Sequence, residues 1–282
     1  MDIKGIDVSA YNGTIDYKKV YADKIKVAIL RITERGNVID PSFEKNYKGF
    51  RENKIKVGVY KFSYALNTDQ AREEAEKVLQ VLNGRKLDFP VFYDVEWSSQ
   101  RQLPKAELTQ IIKAFRERIR KGGYLFGIYC NTDWYNNVLD TASLPYDYWL
   151  AAYPYNDKGV VVESLRPPVG IGWQYSSKGS VAGINGYVDL DLFYKDFTGK
   201  EDSQKPEKDY KVWVGACTGN GVNVRRGPGL AYRPIEGYPY LNKGNLVDVI
   251  GEKRAVDQVL WYHIRIADKY KGYIRHDYIK RV

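Results

Sequence analysis

The sequence predicts an incomplete α/β (TIM-like) barrel of about eight strands and five helices, followed by a small all-β barrel. Three observations predict this fold class. Over the first two-thirds of the 282 residues, short apolar runs alternate with amphipathic ones, as in parallel βαβ units. A polar, charged stretch then interrupts the pattern. Beyond it, short strand-like runs are separated by Gly-rich or polar turns without any helical spacing, which favours a small β-barrel.

Eight short apolar runs bounded by turn or helix signals are the predicted strands of the first domain. They are residues 3–9, 26–33, 57–64, 89–97, 124–130, 146–153, 170–176 and 186–193.

Helical spacing lies between several of these strands. It covers residues 42–54, residues 68–84 with Thr68 as candidate N-cap, and residues 103–123, which end at a Gly pair. After residue 130 only loop-like sequence separates the strands. We therefore expect a barrel with fewer helices than strands.

The polar stretch at 198–209 divides the chain. It carries many charges, one Pro and no apolar pattern, which is typical of a linker. We predict a first domain at 1–200, a linker at 201–209 and a second domain at 210–282.

Bulk composition constrains the partners only loosely. The net charge of +9 and the 25 Tyr and 6 Trp suit an anionic partner and a ring-shaped ligand, but also a soluble protein with an aromatic core. No long basic run or zinc-finger spacing supports nucleic-acid binding. Cys130 and Cys217 lie outside any CxxC or metal-ligand spacing, and we expect two buried free thiols.

Carboxylates mark the ends of several predicted strands. Asp94 and Glu96 are two residues apart, so they point the same way from their strand. Asp7 ends the first strand, and the eighth carries Asp189 and Asp191. Because chemistry in α/β barrels sits at the C-terminal ends of the strands, we expect these acids to converge on one pocket.

Three interpretations of such a cluster remain open from the residues alone. It could be a carboxylate-only calcium or magnesium site, although the two histidines, His263 and His276, lie far away in the C-terminal region. It could be a set of unrelated surface acids. It could also cleave a glycosidic bond, which needs one protonated carboxyl and one ionised carboxylate. Aromatic residues on the late strands could stack on sugar rings: Trp149, Tyr153, Trp173 and Tyr175.

The quoted motifs resemble one family. GIDVSAYNG at 5–13, DPSFEKNY at 40–47, FYDVEW at 92–97, WLAAY at 149–153 and GWQYSSKGSVAGINGYVDLDLF at 172–193 are similar to the glycoside hydrolase family 25 lysozymes over roughly residues 1–197. The resemblance implies an incomplete α/β barrel that cleaves the β-1,4 bond between N-acetylmuramic acid and N-acetylglucosamine, with no cofactor and no metal.

The resemblance also implies roles for individual residues. Glu96 matches the proton donor and Asp94 its partner, either at the sugar carbon or in orienting the substrate's 2-acetamido group. Asp7 and Asp189 match acids that line the cleft.

Further positions match the family less closely. Asp191 is the weaker member of its pair. Tyr60 falls in the motif that the family usually reads G-x-Y-H-F, where Lys61 replaces the His, and Glu34 keeps the acid of a K-A-T-E-G motif. We expect Tyr60 and Glu34 to contact substrate and Lys61 to have a supporting role.

The C-terminal region resembles the bacterial SH3-like domain over about residues 210–282. GVNVRRGPG at 221–229, followed by WYHIRI and KGYIRHDYI, carries the resemblance. It implies a module that binds the bacterial cell wall. Arg225 and Arg226 could meet wall anions or simply solvate a turn.

Together these readings predict a peptidoglycan hydrolase, an N-acetylmuramidase of the phage endolysin type. The alternatives are a bacterial autolysin of the same activity and a non-catalytic wall-binding protein. The predicted partner is bacterial peptidoglycan, with no nucleic acid and no membrane insertion. Because no apolar signal core is seen at the start, we expect a protein in the host bacterial cytoplasm that reaches the wall after membrane permeabilisation.

Overall fold

The computed structural model describes residues 2–197, 213–255, 257–267 and 270–282. The chain divides into two compact units, Met1–Glu207 and Lys208–Val282. The linker predicted at 201–209 lies outside the described residues.

The first unit is an eight-stranded closed barrel, which confirms the predicted fold class. Its strands in chain order are β1 (Ile3–Val8), β2 (Val27–Thr33), β3 (Lys56–Phe62), β4 (Val91–Asp94), β5 (Phe126–Asn131), β6 (Asp147–Ala151), β7 (Gly172–Gly179) and β8 (Val188–Phe193).

Helices accompany only the first half of the barrel. The four α-helices of the described residues are α1 (Tyr17–Ala22), α2 (Phe43–Glu52), α3 (Thr68–Leu82) and α4 (Lys105–Lys121). A π-helical turn at Trp134–Val138 follows β5, and the β6–β7 connection has only a 3-10 turn at Glu163–Leu165. Helix α1 has only six residues, which is too few to show a helical period in the sequence.

The last strand runs against its neighbours. β1 to β7 pair in parallel, whereas β8 is antiparallel to both β7 and β1. Asp189, at the start of β8, pairs with Asp7 near the end of β1. The reversal therefore places the N-terminal end of β8 at the same mouth as the C-terminal ends of the other strands.

The start of α3 is shifted by one residue from the prediction. Asn67 is the N-cap: its backbone is extended, and its side chain accepts a hydrogen bond from the backbone N–H of Gln70 at 2.9 Å. Thr68 is the first helical residue. Asn83, with φ of 43°, ends the helix in the left-handed conformation, which Asn tolerates better than most residues.

Aromatic rings fill the floor of the barrel, and glycines make room for them. A Cβ atom built on Gly172 would lie 2.6 Å from the ring of Phe193, and one on Gly127 would lie 2.7 Å from the ring of Phe92. Phe193 and Phe92 are fully buried and their ring centroids are 6.4 Å apart. Packed side chains therefore close the barrel interior beneath the mouth that is formed by the C-terminal ends of β1 to β7.

A second apolar layer lies between the strands and the surrounding helices. Among the helices, α3 and α4 contribute the most buried side chains to this layer, including Val78, Leu82, Ile112 and Phe115. Tyr93 on β4 stacks on Phe115 of α4 with 3.8 Å between ring centroids. Both faces of the barrel strands are thus apolar.

The second unit is all-β. Its strands are β9 (Trp213–Cys217), β10 (Val222–Asn223), β11 (Tyr240–Leu241), β12 (Leu246–Arg254), β13 (Leu260–Ile266), β14 (Tyr270–Arg275) and β15 (Ile279–Arg281). β10 and β11 form a two-stranded sheet, and the others form a five-stranded antiparallel sheet in the order β14-β13-β12-β9-β15.

The cysteines and the lengths of the helices complete the description of the fold. Cys130 and Cys217 are free and buried, which confirms that prediction. Within the described ranges, every helix is too short or too polar to cross a bilayer.

Candidate active site

A cleft of about 460 Å³ opens at the mouth of the barrel. The structure brings eight of the ten predicted site residues into its lining: Asp7, Glu34, Tyr60, Asp94, Glu96, Trp149, Tyr153 and Asp189. They come from the ends of six strands and the adjoining loops. Residues distant in sequence therefore share one pocket.

β4 explains how the two central acids reach the cleft. Alternate side chains of a strand point the same way, and Phe92 lies in the barrel's interior cluster. Asp94, at the end of β4, follows it on the interior side and is 4% exposed. Glu96 lies two residues further, beyond the strand, and is only half-buried. Glu96 is thus the acid of this pair that is open to solvent and ligand.

Burial and mutual repulsion raise the pKa values of this cluster. Burial, followed by the charge of Glu96, raises the pKa of Asp94 well above its ordinary value. Burial also raises the pKa of Glu96, and Asp189 adds to the effect. Burial and then Asp157 raise the pKa of Asp189 to about 6. A raised pKa favours the protonated form that a general acid requires.

The acids of β1 and β8 lie deeper. Burial, then Asp189 and Asp191, raise the pKa of Asp7 well above its ordinary value. Burial and Asp189 do the same for the pKa of Asp191, against a hydrogen bond from the indole of Trp149. That indole Nε1 donates to Asp191 Oδ1 at 2.9 Å. Asp191 is 1% exposed and supports the floor of the cleft from below.

Two residues that were not among the predicted site residues fix Asp7. Gln174 on β7 donates from Nε2 to Asp7 Oδ2 at 2.8 Å, and its Oε1 accepts from the hydroxyl of Tyr129 at 2.8 Å. Both residues line the cleft. Gln174 stands in the quoted GWQYSS motif, between Trp173 and Tyr175, the two residues predicted to contact sugar.

Those neighbours, Trp173 and Tyr175, do not reach the cleft. They alternate with Gln174 along β7 and so point away from the barrel interior. Trp173 is fully buried and donates its indole N–H to the carbonyl of Ala152 at 2.7 Å. Tyr175 packs against the outer apolar layer, next to Trp173. The expectation that these two aromatics stack on sugar was wrong about which side of the strand faces the site.

A cationic edge lies on the β2 side of the cleft. Arg31 donates from Nε to Asp40 Oδ2 at 2.6 Å and from Nη2 to Glu34 Oε1 at 2.8 Å. Its guanidinium carbon lies 4.8 Å from the ring centroid of Tyr11. Glu34 therefore faces the cleft as the partner of an arginine. Arg35 follows on the loop, with its guanidinium carbon 5.3 Å from the ring centroid of Tyr64.

Lys61 lies behind the cleft wall. It is fully buried, and its Nζ is 3.6 Å from Glu74 Oε1 on α3. Glu74 also accepts hydrogen bonds from the Tyr93 hydroxyl at 2.6 Å and from the backbone N–H of Tyr64 at 2.8 Å. Among the described residues, neither Lys61 Nζ nor Asp94 Oδ1 has a hydrogen-bond partner.

The arrangement suits proton transfer and the stabilisation of positive charge. Carboxyl groups with raised pKa values surround a groove whose walls carry Tyr60, Trp149 and Tyr153. Across the ranges that the structure describes, no three His, Cys, Asp or Glu side chains are grouped as metal ligands. The chemistry open to the described residues is that of paired carboxyl groups beside aromatic faces.

Comparison with known proteins identifies the two units by similarity. The model of the glycosyl hydrolases family 25 matches residues 6–184. The model of the bacterial SH3 domain matches residues 220–280. The two matches fall in the barrel and in the all-β unit.

Individual relatives agree with these matches. An autolytic lysozyme of Clostridium acetobutylicum is 27% identical over 191 residues, which are 68% of this chain and 56% of that protein. The modular autolysin LytC of Streptococcus pneumoniae superposes with a TM-score of 0.59 at 26% identity, over 68% of this chain and 47% of that chain. The CTP1L endolysin gives a TM-score of 0.57 at 26% identity, over 68% of this chain and 66% of that chain. The chain thus spans about half the length of the first two.

Proposed function

The chain belongs to glycosyl hydrolase family 25, and on that premise we propose that it is a peptidoglycan hydrolase of the N-acetylmuramidase type. It would cleave the β-1,4 bond between N-acetylmuramic acid and N-acetylglucosamine. The observation that carries the proposal is the meeting of Asp7, Asp94, Glu96 and Asp189 in one aromatic-walled cleft.

Glu96 is the proposed proton donor. It is the more exposed member of the central pair, and its pKa is raised by burial and by Asp189. A carboxyl group with a raised pKa keeps its proton to higher pH, and can then protonate the oxygen of the leaving sugar. Asp189, across the cleft, is the charge that adds to burial in making loss of this proton less favourable.

Asp94 is the proposed partner at the sugar carbon. Once it is ionised, its carboxylate stabilises the positive charge that develops there, either directly or by orienting the 2-acetamido group of the substrate. Burial and the charge of Glu96 raise the pKa of Asp94, whereas the positive charge of Lys61 lowers it. Lys61 thereby favours the ionised form that this role requires.

The second unit is the proposed wall-binding module. It matches the bacterial SH3 domain, and residues 213–282 carry twelve Lys and Arg against six Asp and Glu. A positive module bound to an anionic wall raises the local concentration of the barrel at its substrate and makes lysis sensitive to salt.

Turbidity of purified bacterial walls tests the activity. We expect the wild-type chain to clear the suspension and Glu96→Gln to slow clearing by about 10²- to 10⁴-fold, the usual range for loss of a general acid. Glu73→Gln, at an exposed position of α3, is the matched control and should clear at the wild-type rate. Unchanged clearing by Glu96→Gln would contradict the assignment of the donor.

The reducing ends that are released identify the bond. A muramidase leaves N-acetylmuramic acid at the new reducing end, a glucosaminidase leaves N-acetylglucosamine, and an amidase leaves neither. Wall binding without any new reducing end would instead favour a non-catalytic wall-binding protein.

The proposed setting is that of an endolysin, in keeping with the likeness to the CTP1L endolysin. An autolysin is the alternative, and LytC is similar at the same identity. Synthesis of the chain in the cytoplasm of a susceptible bacterium separates the two: an endolysin lyses the cell only after the membrane has been permeabilised.

A further inference from the structure

Asp157 is a buried acid that stands just outside the cleft of the barrel. It lies in the loop between β6 and β7, is 7% exposed, and is not among the residues that line the cleft. A buried carboxylate is costly unless hydrogen bonds or charges compensate it. The donors that surround Asp157 therefore show what this residue holds in place.

Backbone and hydroxyl donors bind both oxygens of the Asp157 carboxylate. Oδ1 accepts from the backbone N–H of Gly159 at 2.9 Å, and the Ser176 hydroxyl lies 2.9 Å from each oxygen. Oδ2 accepts from the backbone N–H of Ser177 at 2.7 Å and from its hydroxyl at 3.3 Å. Burial raises the pKa of Asp157, but these hydrogen bonds outweigh burial and leave the pKa below its ordinary value. Asp157 is thus a fixed negative charge.

The same hydrogen bonds fix a bulge in β7. The register between β7 and β8 shifts between Ser176 and Gly179. The two intervening residues of β7 therefore lie opposite a single residue of β8, Asp189. The Ser176 hydroxyl also accepts from the backbone N–H of Lys178 at 2.9 Å, so Asp157 holds the bulge along its whole length. Bulges beside active sites commonly set the direction of a side chain.

The bulge lies at the edge of the cleft. Asp189, opposite the bulge, lines the cleft. Ser177, within the bulge, forms a side-chain hydrogen bond with Tyr153, which also lines the cleft. Asp157 is therefore linked to two residues of the candidate active site through β7, although it does not reach the cleft itself.

Asp157 differs in charge from the other groups around Asp189. The titratable side chains that interact with Asp189 from the neighbouring strands and loops are Asp7, Tyr60, Glu96, Tyr153 and Asp191. Burial raises the pKa of each of them, whereas the pKa of Asp157 is lowered. After burial, the charge of Asp157 raises the pKa of Asp189 to about 6. Asp157 thus keeps its charge to lower pH than the groups that share the cleft.

We propose that Asp157 is a positioning residue of the active site, which fixes the β7 bulge and, through it, the carboxyl group of Asp189. The inference rests on the proposed function, because Asp189 acts there on the proton donor Glu96. Asp157 sets the pH at which Asp189 becomes charged, and therefore the pH range over which Asp189 helps Glu96 to keep its proton. It does so without contact with the substrate.

An NMR titration of the full chain, with isotopic label at the aspartate carboxyl carbons, tests the effect of the charge. The signal of Asp189 is the one that disappears in Asp189→Asn. Its midpoint should lie at about 6 in the wild type and should fall by roughly one pH unit in Asp157→Asn, the effect of removing one nearby charge. Asp140→Asn is the matched control and should leave the midpoint unchanged. Asp140 also accepts a backbone N–H in a loop, from Ser143 at 3.2 Å, but does not line the cleft.

Kinetics on soluble glycan test the positioning. Ser176→Ala removes the hydroxyl that binds both oxygens of Asp157 and the N–H of Lys178, and leaves the Asp157 carboxylate in the chain. Small displacements of groups near the reacting atoms can cost about 10²-fold in rate. We therefore expect kcat/KM to fall about 10²-fold in Asp157→Asn and about tenfold in Ser176→Ala. Asp140→Asn should retain the wild-type value.

Two results would overturn the inference. They are an Asp189 midpoint that Asp157→Asn leaves in place, and a wild-type kcat/KM in Asp157→Asn or Ser176→Ala. Thermal unfolding checks that both variants fold, and early unfolding of Asp157→Asn leaves Ser176→Ala to decide. The two proposals fail separately, since a wild-type chain that cleaves no glycan rejects the muramidase, while the titration still decides whether Asp157 acts on Asp189.

Discussion

Lys61→Met removes the cation of a buried ion pair beside the active site. Lys61 and Glu74 are both almost fully buried, and the cation and carboxylate are 3.6 Å apart. At an effective dielectric constant of about 20, two unit charges at the 3.6 Å separation attract by roughly 5 kcal/mol. Removing one partner of such a pair leaves the other charge uncompensated and usually costs about 3–5 kcal/mol. We therefore expect Lys61→Met to destabilise the barrel by that amount.

A double-mutant cycle separates the pair from its surroundings. Glu74→Gln alone should also destabilise, because it leaves Lys61 without its only ion-pair partner among the described residues. The double variant Lys61→Met/Glu74→Gln buries no charge at this place. Its cost should fall below the sum of the two single costs by at least about 2 kcal/mol.

Hydrogen exchange of peptides from β3 and β4, measured by mass spectrometry at increasing urea, reports the opening free energy of the barrel within the full chain. Lys121→Met is the matched control, since Lys121 pairs with Glu117 at 3.1 Å on the surface, and exposed pairs contribute less than about 1 kcal/mol. Additive costs for Lys61→Met and Glu74→Gln would refute the reasoning.

Activity gives a second readout of the same variant. Burial and Glu96 raise the pKa of Asp94, and Lys61 opposes them. Without Lys61 the pKa of Asp94 should rise further, so Asp94 stays protonated to higher pH. The acidic limb of the pH profile of kcat/KM on soluble glycan should therefore move to higher pH, and a limb that stays in place would show that Lys61 acts on stability alone.

Two further variants test the cleft and the floor of the barrel. Asp189→Asn removes a charge that raises the pKa of Glu96 after burial, so Glu96 should lose its proton more easily and the alkaline limb of the residual activity should move to lower pH; a limb that moves upward contradicts the assignment. Gly172→Ala places a Cβ atom 2.6 Å from the ring of Phe193 and should destabilise the barrel by about 1–3 kcal/mol through overpacking. Gly251→Ala, where the nearest atom is 3.6 Å away, should unfold within error of the wild type, and equal losses for both variants would count against the packing argument.

The sequence predicted the barrel well because its signals are local. The eight strand-like runs all correspond to strands of the barrel, since short apolar stretches between turn signals need no distant partner to be recognised. The reversed direction of β8 had no such signal. Strand direction depends on where the connecting loop crosses the barrel, and the 3-10 turns and loops of the last third carry no helix to mark a parallel crossover.

Side-chain direction was the main source of error at the site. Trp173 and Gln174 are adjacent, and one of them must face inward. Because barrel strands are buried on both faces, hydrophobicity does not distinguish the inner side from the outer one. Trp173 was the predicted sugar contact, but the side chain that faces the cleft is Gln174, whose amide donates a hydrogen bond to Asp7.

The sequence by itself determined the fold class, the family resemblance and the acids at the strand ends, because each of these depends on residues close together in the chain. Only the tertiary structure decided which acids repel one another, which ring faces the cleft, and that Lys61 is paired with Glu74 behind the wall. Those properties arise from distances between strands and helices far apart in sequence. Burial and Coulomb interaction act through space, and the closed barrel sets that space.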